Sequence, residues 1–237
     1  MKRFYKMVSV ADVPGGYVIH LDGRPVRTPG RALLLAPGRG LAEALQGEWA
    51  GQGDVIAPDS MPLTQILNTQ IDKVANGQRA DMEREVLKYL HTDLLCYPCD
   101  DPVEVAAAQE QAWGPWRAWF EKRFGYPLKT TTGIAALRQD EAAAEAVAKA
   151  VQGFDDGRFT VLQLAVPLSG SLVLGLAFAE GAAGADDVMK ATFAEEDYKA
   201  VLYKDEQYGP DPLTEKKRKA SRRDLEAASL FLSLLQK

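Results

Sequence analysis

The chain has 237 residues, 46% apolar and 26% charged, proportions that fit one or two water-soluble globular domains. They exclude a disordered tail, a collagen-like fibre and a disulfide scaffold, and a chain this long buries enough apolar surface to fold without a metal or cross-link. The formal charge of -5, from 28 basic and 33 acidic residues, argues against nucleic acid as the main partner, and two cysteines point to a reducing compartment.

The start, Met1 to Met7, is basic but lacks the apolar run of a signal peptide and the amphipathic character of a transit peptide. The expectation is a protein that stays where it is made. The first 36 residues read as strands: Phe4 to Val10, Tyr17 to Leu21, Arg24 to Thr28 and Arg31 to Ala36. Asp12-Val13-Pro14-Gly15-Gly16 is turn chemistry, and Asp22-Gly23 is the two-residue turn of a tight hairpin. The period then turns helical. Leu41, Ala44, Leu45, Glu48 and Trp49 share one helix face, which Gly51-Gln52-Gly53 ends.

Met61 to Val74 and Asp81 to His91 follow as helices. Another begins at Asp101-Pro102 and must kink or break at Gly114-Pro115. Gln139 to Val151 is an alanine-rich helix. Thr160 to Ala179 is twenty residues without a charge, the length of a membrane span. Pro167 argues against a span, so the segment reads as a strand or short helix to Val166 and then a core helix capped at Ser169 and ended by Gly181. Asp186 to about Lys204 reads as one long helix, and Leu213 to Leu235 as the last. The fold class is α+β: a small antiparallel β-rich N-terminal domain, residues 1–76 with one or two helices, followed by a larger all-α domain, residues 77–237.

Cys96-Tyr97-Pro98-Cys99 precedes a helix, the setting of a redox dithiol. No βαβ pattern surrounds it, and Asp100-Asp101 would raise a thiolate pKa rather than lower it. Ordinary cysteines near a turn are the better reading, with a thiol oxidoreductase as the alternative. A zinc site would need further ligands, and only His20 and His91 remain. Gly170 to Gly175 has phosphate-loop spacing but Leu176 where the lysine must stand, so close helix packing explains those glycines better. No nucleophile elbow occurs, and Ser169-Gly170-Ser171 has no assignable base. The residues therefore point away from an enzyme. The basic run Lys216 to Arg223 is flanked by Glu215, Asp224 and Glu226, and reads as a solvated face complementary to the acidic helix before it.

Taken together, certain strings resemble a known family. They are Leu21-Asp22-Gly23-Arg24-Pro25-Val26-Arg27-Thr28-Pro29; Glu48-Trp49 with Gln52; Met61-Pro62-Leu63-Thr64 with Asn68-Thr69; and Ile71-Asp72-Lys73-Val74. Thr92-Asp93-Leu94-Leu95-Cys96-Tyr97, Gln111-Ala112-Trp113, Thr132-Gly133-Ile134 and Leu168-Ser169-Gly170-Ser171-Leu172 continue the series over nearly the whole chain. In that order they resemble the F1-ATPase assembly chaperone that receives the free α subunit.

The resemblance implies a β-rich domain joined to a helical one, no enzyme activity and no cofactor; the scarcity of ligands already argues against a metal. The implied partner is the F1 α subunit, held soluble until the β subunit replaces it, with no nucleic acid and no stable membrane insertion. The implied location is the cytoplasm of an alphaproteobacterium, or the mitochondrial matrix for a eukaryotic mature chain. The family's motif Asp-Glu-x-aromatic-Gln, followed by Trp-Gly, falls on Glu195-Glu196-Asp197-Tyr198-Lys199 with Tyr203 for the Trp. Lys199 and Lys204 depart from it. A rival alignment sets Tyr208-Gly209 on the Trp-Gly and Val201 on the glutamate. The first alignment makes Glu196 the important carboxylate, with Glu195, Tyr198 and Tyr203 beside it. Arg24 and Arg27 are further candidates for partner contact, whereas Trp49, Asp22 and Gly23 read as structural.

Overall fold

A computed structural model describes residues 1–202 and 211–235, with side chains outside 201 and 202. The N-terminal strands form a four-stranded antiparallel sheet: β1 Val8–Val13, β2 Gly16–Leu21, β3 Arg24–Pro25 and β4 Leu35–Ala36. β2 is central. β1 runs along its full length, from Val8 opposite Leu21 to Val13 opposite Gly16, while β3 pairs at its end and β4 at its start. The β2–β3 turn is the expected tight one, with positive φ at both Asp22 (49°) and Gly23 (80°). Strand β1 starts later than alternation suggested. Lys6 and Met7 instead give their N–H groups to the Asp22 carboxylate, Met7 at 2.8 Å, which ties the segment before β1 to the hairpin tip.

Helix α1, Arg39–Ala50, buries Leu41, Ala42 and Leu45 and packs on β1 and β2. Helix α2, Pro62–Thr69, continues into a π-helical segment, Gln70–Gln78, that breaks at Asn76 and Gly77. With residues 226–237 these elements make one compact unit, Met1–Ala80 and Glu226–Lys237; Asp81–Leu225 makes the other.

The second unit is helical. Its elements are α3 Arg79–Lys88 (which begins just before the division), α4 Val103–Phe124, α5 Glu141–Gln152, α6 Asp156–Ser169, α7 Leu172–Ala179, α8 Ala185–Thr192 and α9 Ala194–Leu202. The last helix, α10, spans Pro212–Leu235. The small sheet followed by helices is the α+β class expected from sequence.

Three local expectations are corrected. Neither Pro115 nor Pro167 breaks its helix: both are exposed, and on an exposed face the carbonyl that proline leaves unpaired can be hydrated. The stretch Thr160–Ala179 is therefore the end of α6 and all of α7. Its junction is Gly170, in the left-handed conformation, and the cap of α7 is Ser171, whose hydroxyl accepts from Leu174 N at 3.0 Å; Ser169 lies within α6. Finally, the predicted helix from Asp186 is two helices, divided at Phe193 (φ -107°, ψ 17°). Every residue of α7 is buried. Gly175 lets it approach α6, since a Cβ there would lie 2.5 Å from Val166 Cγ2. No helix among the described residues is long and apolar enough to cross a membrane.

Candidate functional site

Four charged or polar groups, three of them in the strings that carried the resemblance, hold the chain together. Asp93 is fully buried: its carboxylate accepts from Leu95 N at 3.0 Å, capping its own short turn, and from Val173 N at 3.0 Å in the first turn of α7. Leu94 N meanwhile donates to Gly170 O. The strings at 92–97 and 168–172 are thus the two halves of one clasp. Glu48 does the same for α2, accepting from Leu63 N at 2.7 Å and from Thr64 N and Oγ1 at 2.8 and 2.7 Å. Asp72 accepts from Thr28 Oγ1 (2.6 Å) and Gly30 N (2.7 Å), joining the strings at 21–29 and 71–74. Buried Gln139 holds the loop before α5 through Lys129 N and O, at 2.9 and 3.0 Å. Sequence reasoning missed the clasping roles of these residues. The short pattern Thr-Asp-Leu-Leu was the one available signal, an acid capping the turn that follows.

Two places gather the charged candidates. The first is α9. Phe193, buried at the break, lies under the Arg218 guanidinium (4.6 Å) and the Lys217 ammonium (5.4 Å). Asp197 pairs with Arg218 at 2.5 Å, and Asp186 on α8 with Arg222 at 2.5 Å. The basic run on α10 therefore faces the acidic helices, as its charge pattern predicted. Glu195 pairs with Lys199 one turn on, at 2.6 Å. Glu196 is half-buried and makes no ion pair or hydrogen bond with a described residue. Tyr198 is half-buried beside it. Tyr203 and the rival Tyr208-Gly209 lie outside the described residues.

The second place is a cleft of about 560 Å³ in the first unit, which brings together Arg24, Arg27, Asp22 and Trp49. Asp22 is held below the usual carboxylate range by the Met7 and Lys6 backbone N–H groups, in keeping with a turn role. The Trp49 carbonyl accepts from Tyr5 Oη at 2.7 Å, and the two rings lie 5.9 Å apart. Trp49 is thus part of the packing, although its indole N–H is buried without an acceptor among the described residues.

The cysteines do not behave as a redox pair. Burial, and then the neighbouring Asp93 charge, push the Cys96 thiol up to about 12, while Gln139 Nε2 sits 3.4 Å from its sulfur. Burial, then Glu195, Asp100 and Asp101, raise Cys99 as well. A reactive dithiol needs a lowered thiolate pKa, and here both shifts run the other way.

Residues 2–121 match the family model described as ATP12 chaperone protein. The mitochondrial protein atp12 of Schizosaccharomyces pombe is 22% identical over 191 residues, covering 76% of this chain and 66% of its own length. Among solved structures, Atp12 of Paracoccus denitrificans is 32% identical with a TM-score of 0.85, over 98% of this chain and 97% of that one; an aspartate-to-lysine mutant of it matches equally well. The Atu1473 protein of Agrobacterium tumefaciens is 35% identical with a TM-score of 0.87, over 99% of this chain and 86% of that one.

Proposed function

Because this chain belongs to the ATP12 chaperone family, whose members are chaperones and not enzymes, we propose that it serves the assembly of ATP synthase by binding the free F1 α subunit. It keeps that subunit from aggregating until the β subunit takes its place. The observation that carries the reading is the near full-length likeness to Paracoccus Atp12, at 32% identity over 98% of the chain. The setting is the bacterial cytoplasm, or the mitochondrial matrix in a eukaryote.

The physical logic is simple. A subunit of a ring oligomer exposes large apolar interfaces while it is unpaired, and such surfaces aggregate or pair wrongly. A protein that covers them needs no nucleotide, because the free energy of correct assembly displaces it. On α9, Glu196 is the carboxylate best suited to contact the client, since Glu195 and Asp197 already pair within the fold. Tyr198 supplies an adjacent aromatic surface, and Tyr203 belongs to the same proposed contact by its place in the motif.

Co-expression with the α subunit tests the proposal: the subunit stays in the supernatant with this protein and pellets without it. Equal pelleting in both cases overturns it. Glu196→Lys is expected to leave the thermal melt in place and abolish the protection. Full protection by that variant removes Glu196 from the contact.

A further inference from the structure

The cleft in the first unit is built from two kinds of group. Its apolar part comes from Met1, Phe4, Tyr5 and Trp49, and Met1 and Phe4 stay 74% and 64% exposed. Lying on one cleft beside Trp49, they add exposed apolar surface of the kind that interaction sites gather into patches. Its polar part is nearly all donors. Among the described residues Arg24 makes no ion pair or hydrogen bond, though its charge acts on nearby Asp22, and Arg27 makes no ion pair and donates only to the Arg31 carbonyl at 2.9 Å. The one carboxylate at the rim, Asp22, is already engaged by the Lys6 and Met7 N–H groups. Residues 1–36 carry six Lys or Arg against two Asp, so the surrounding field is positive within a chain of net charge -5.

A surface of unpaired guanidinium groups over an aromatic floor fits one chemistry: a carboxylate next to an aliphatic or aromatic side chain. Arg binds carboxylates through paired charge-assisted hydrogen bonds, and the floor rewards an apolar neighbour. A bare phosphate would use the arginines and leave the floor wet. We propose that this cleft is a binding site for an acidic, apolar segment of a polypeptide client, its carboxylate held by Arg24 and Arg27 and its apolar side chain laid against Phe4 and Trp49. The inference rests on the chaperone reading above for the source of the segment, but its chemistry is tested without the client.

The probe is a fluorescein-labelled peptide, Gly-Ala-Asp-Phe-Glu-Leu-Ala-Gly, titrated with the full-length protein and followed by anisotropy. Its control has Asn and Gln in place of Asp and Glu. The acidic peptide binds saturably, and the amide control binds roughly tenfold more weakly. Combining Arg24→Gln with Arg27→Gln removes that discrimination while the thermal melt stays unchanged, because both side chains are exposed. Phe4→Ser weakens both peptides alike. Absence of saturable binding, equal affinity for the two peptides, or discrimination that survives the double substitution overturns the inference. If the wild-type protein protects the α subunit yet fails these titrations, the cleft falls and the chaperone reading stands. If protection fails while the titrations succeed, the reverse holds.

Discussion

The Asp93 clasp allows the sharpest test of how this fold is held. Asp93 is wholly buried, and its carboxylate meets Leu95 N and Val173 N at 3.0 Å, with the Ser171 hydroxyl and Leu172 N also within reach. Burial opposes ionisation and the donors favour it; burial wins, and the carboxyl is pushed up from 3.8 to about 6. The folded protein then binds this proton more tightly than the unfolded chain does, so stability falls as pH rises between those two values. A shift from 3.8 to about 6 corresponds to about 3 kcal/mol in all. Asp93→Asn cannot titrate. The assay is urea unfolding of the wild type and Asp93→Asn from pH 4 to pH 7.5, taking the difference in free energy at each pH. That difference moves toward the variant by up to about 3 kcal/mol, mostly between pH 4 and 6. A flat difference, or one moving toward the wild type, would mean that the donors outweigh burial, and the reasoning would be refuted. Asp93→Ala, which strands these donors at the buried start of α7, costs about 3–5 kcal/mol at pH 4 and less as pH rises, since alanine cannot titrate either.

Three further expectations concern single contacts. Glu48→Ala removes the acceptor from Leu63 N, Thr64 N and Thr64 Oγ1, and lowers stability by about 2 kcal/mol in urea, with Glu48→Gln intermediate; an unchanged midpoint would show that water replaces the clasp. Gly175→Ala forces a methyl against Val166 Cγ2 and Leu162 Cδ1 and destabilises by about 1–3 kcal/mol, read from the thermal melt. Cys96 stays unlabelled by a thiol reagent at pH 8 until the protein is denatured; labelling of the native state at the rate of a free thiol would contradict its burial and raised pKa.

Periodicity and turn chemistry made the broad fold legible. Asp22-Gly23 announced the β2–β3 turn because the residues that tolerate positive φ are few, and the face of Leu41 and Leu45 announced α1. The misplaced boundaries have physical causes. Pro115 and Pro167 were read as breakers because sequence does not reveal which side of a helix meets solvent, and there a proline costs less. The break at Phe193 coincides with a buried ring between α8 and α9, under cations from α10, a tertiary arrangement that no local pattern signals. The end of α10 belongs to the compact unit that holds the sheet, with Leu234 Cδ2 lying 3.2 Å from where a Cβ on Gly40 would be; a local pattern cannot foresee such a return.

The candidate site was harder to read for a related reason. The strings that identify the family include Glu48, Asp72 and Asp93, and each of those carboxylates is consumed by backbone N–H groups distant in sequence. A motif of that kind reports how the chain is fastened, and it would read the same whatever the client. Contact chemistry has to be sought among charges that the fold leaves over. By that criterion Glu195 and Asp197 drop back, since Lys199 and Arg218 satisfy them, while Glu196 on α9 and Arg24 and Arg27 at the cleft stand out. An unpaired charge that water still reaches costs the folded protein little, but a partner can turn it into a charge-assisted hydrogen bond as water leaves the interface. The two places carry opposite sign. A client that used both would need a basic or donor-rich patch for Glu196 and an acidic, apolar segment for the arginines. Charge reversal at either place should therefore weaken client binding more steeply in low salt than in high, because screening shortens the reach of exposed charges to about 8–10 Å at physiological ionic strength.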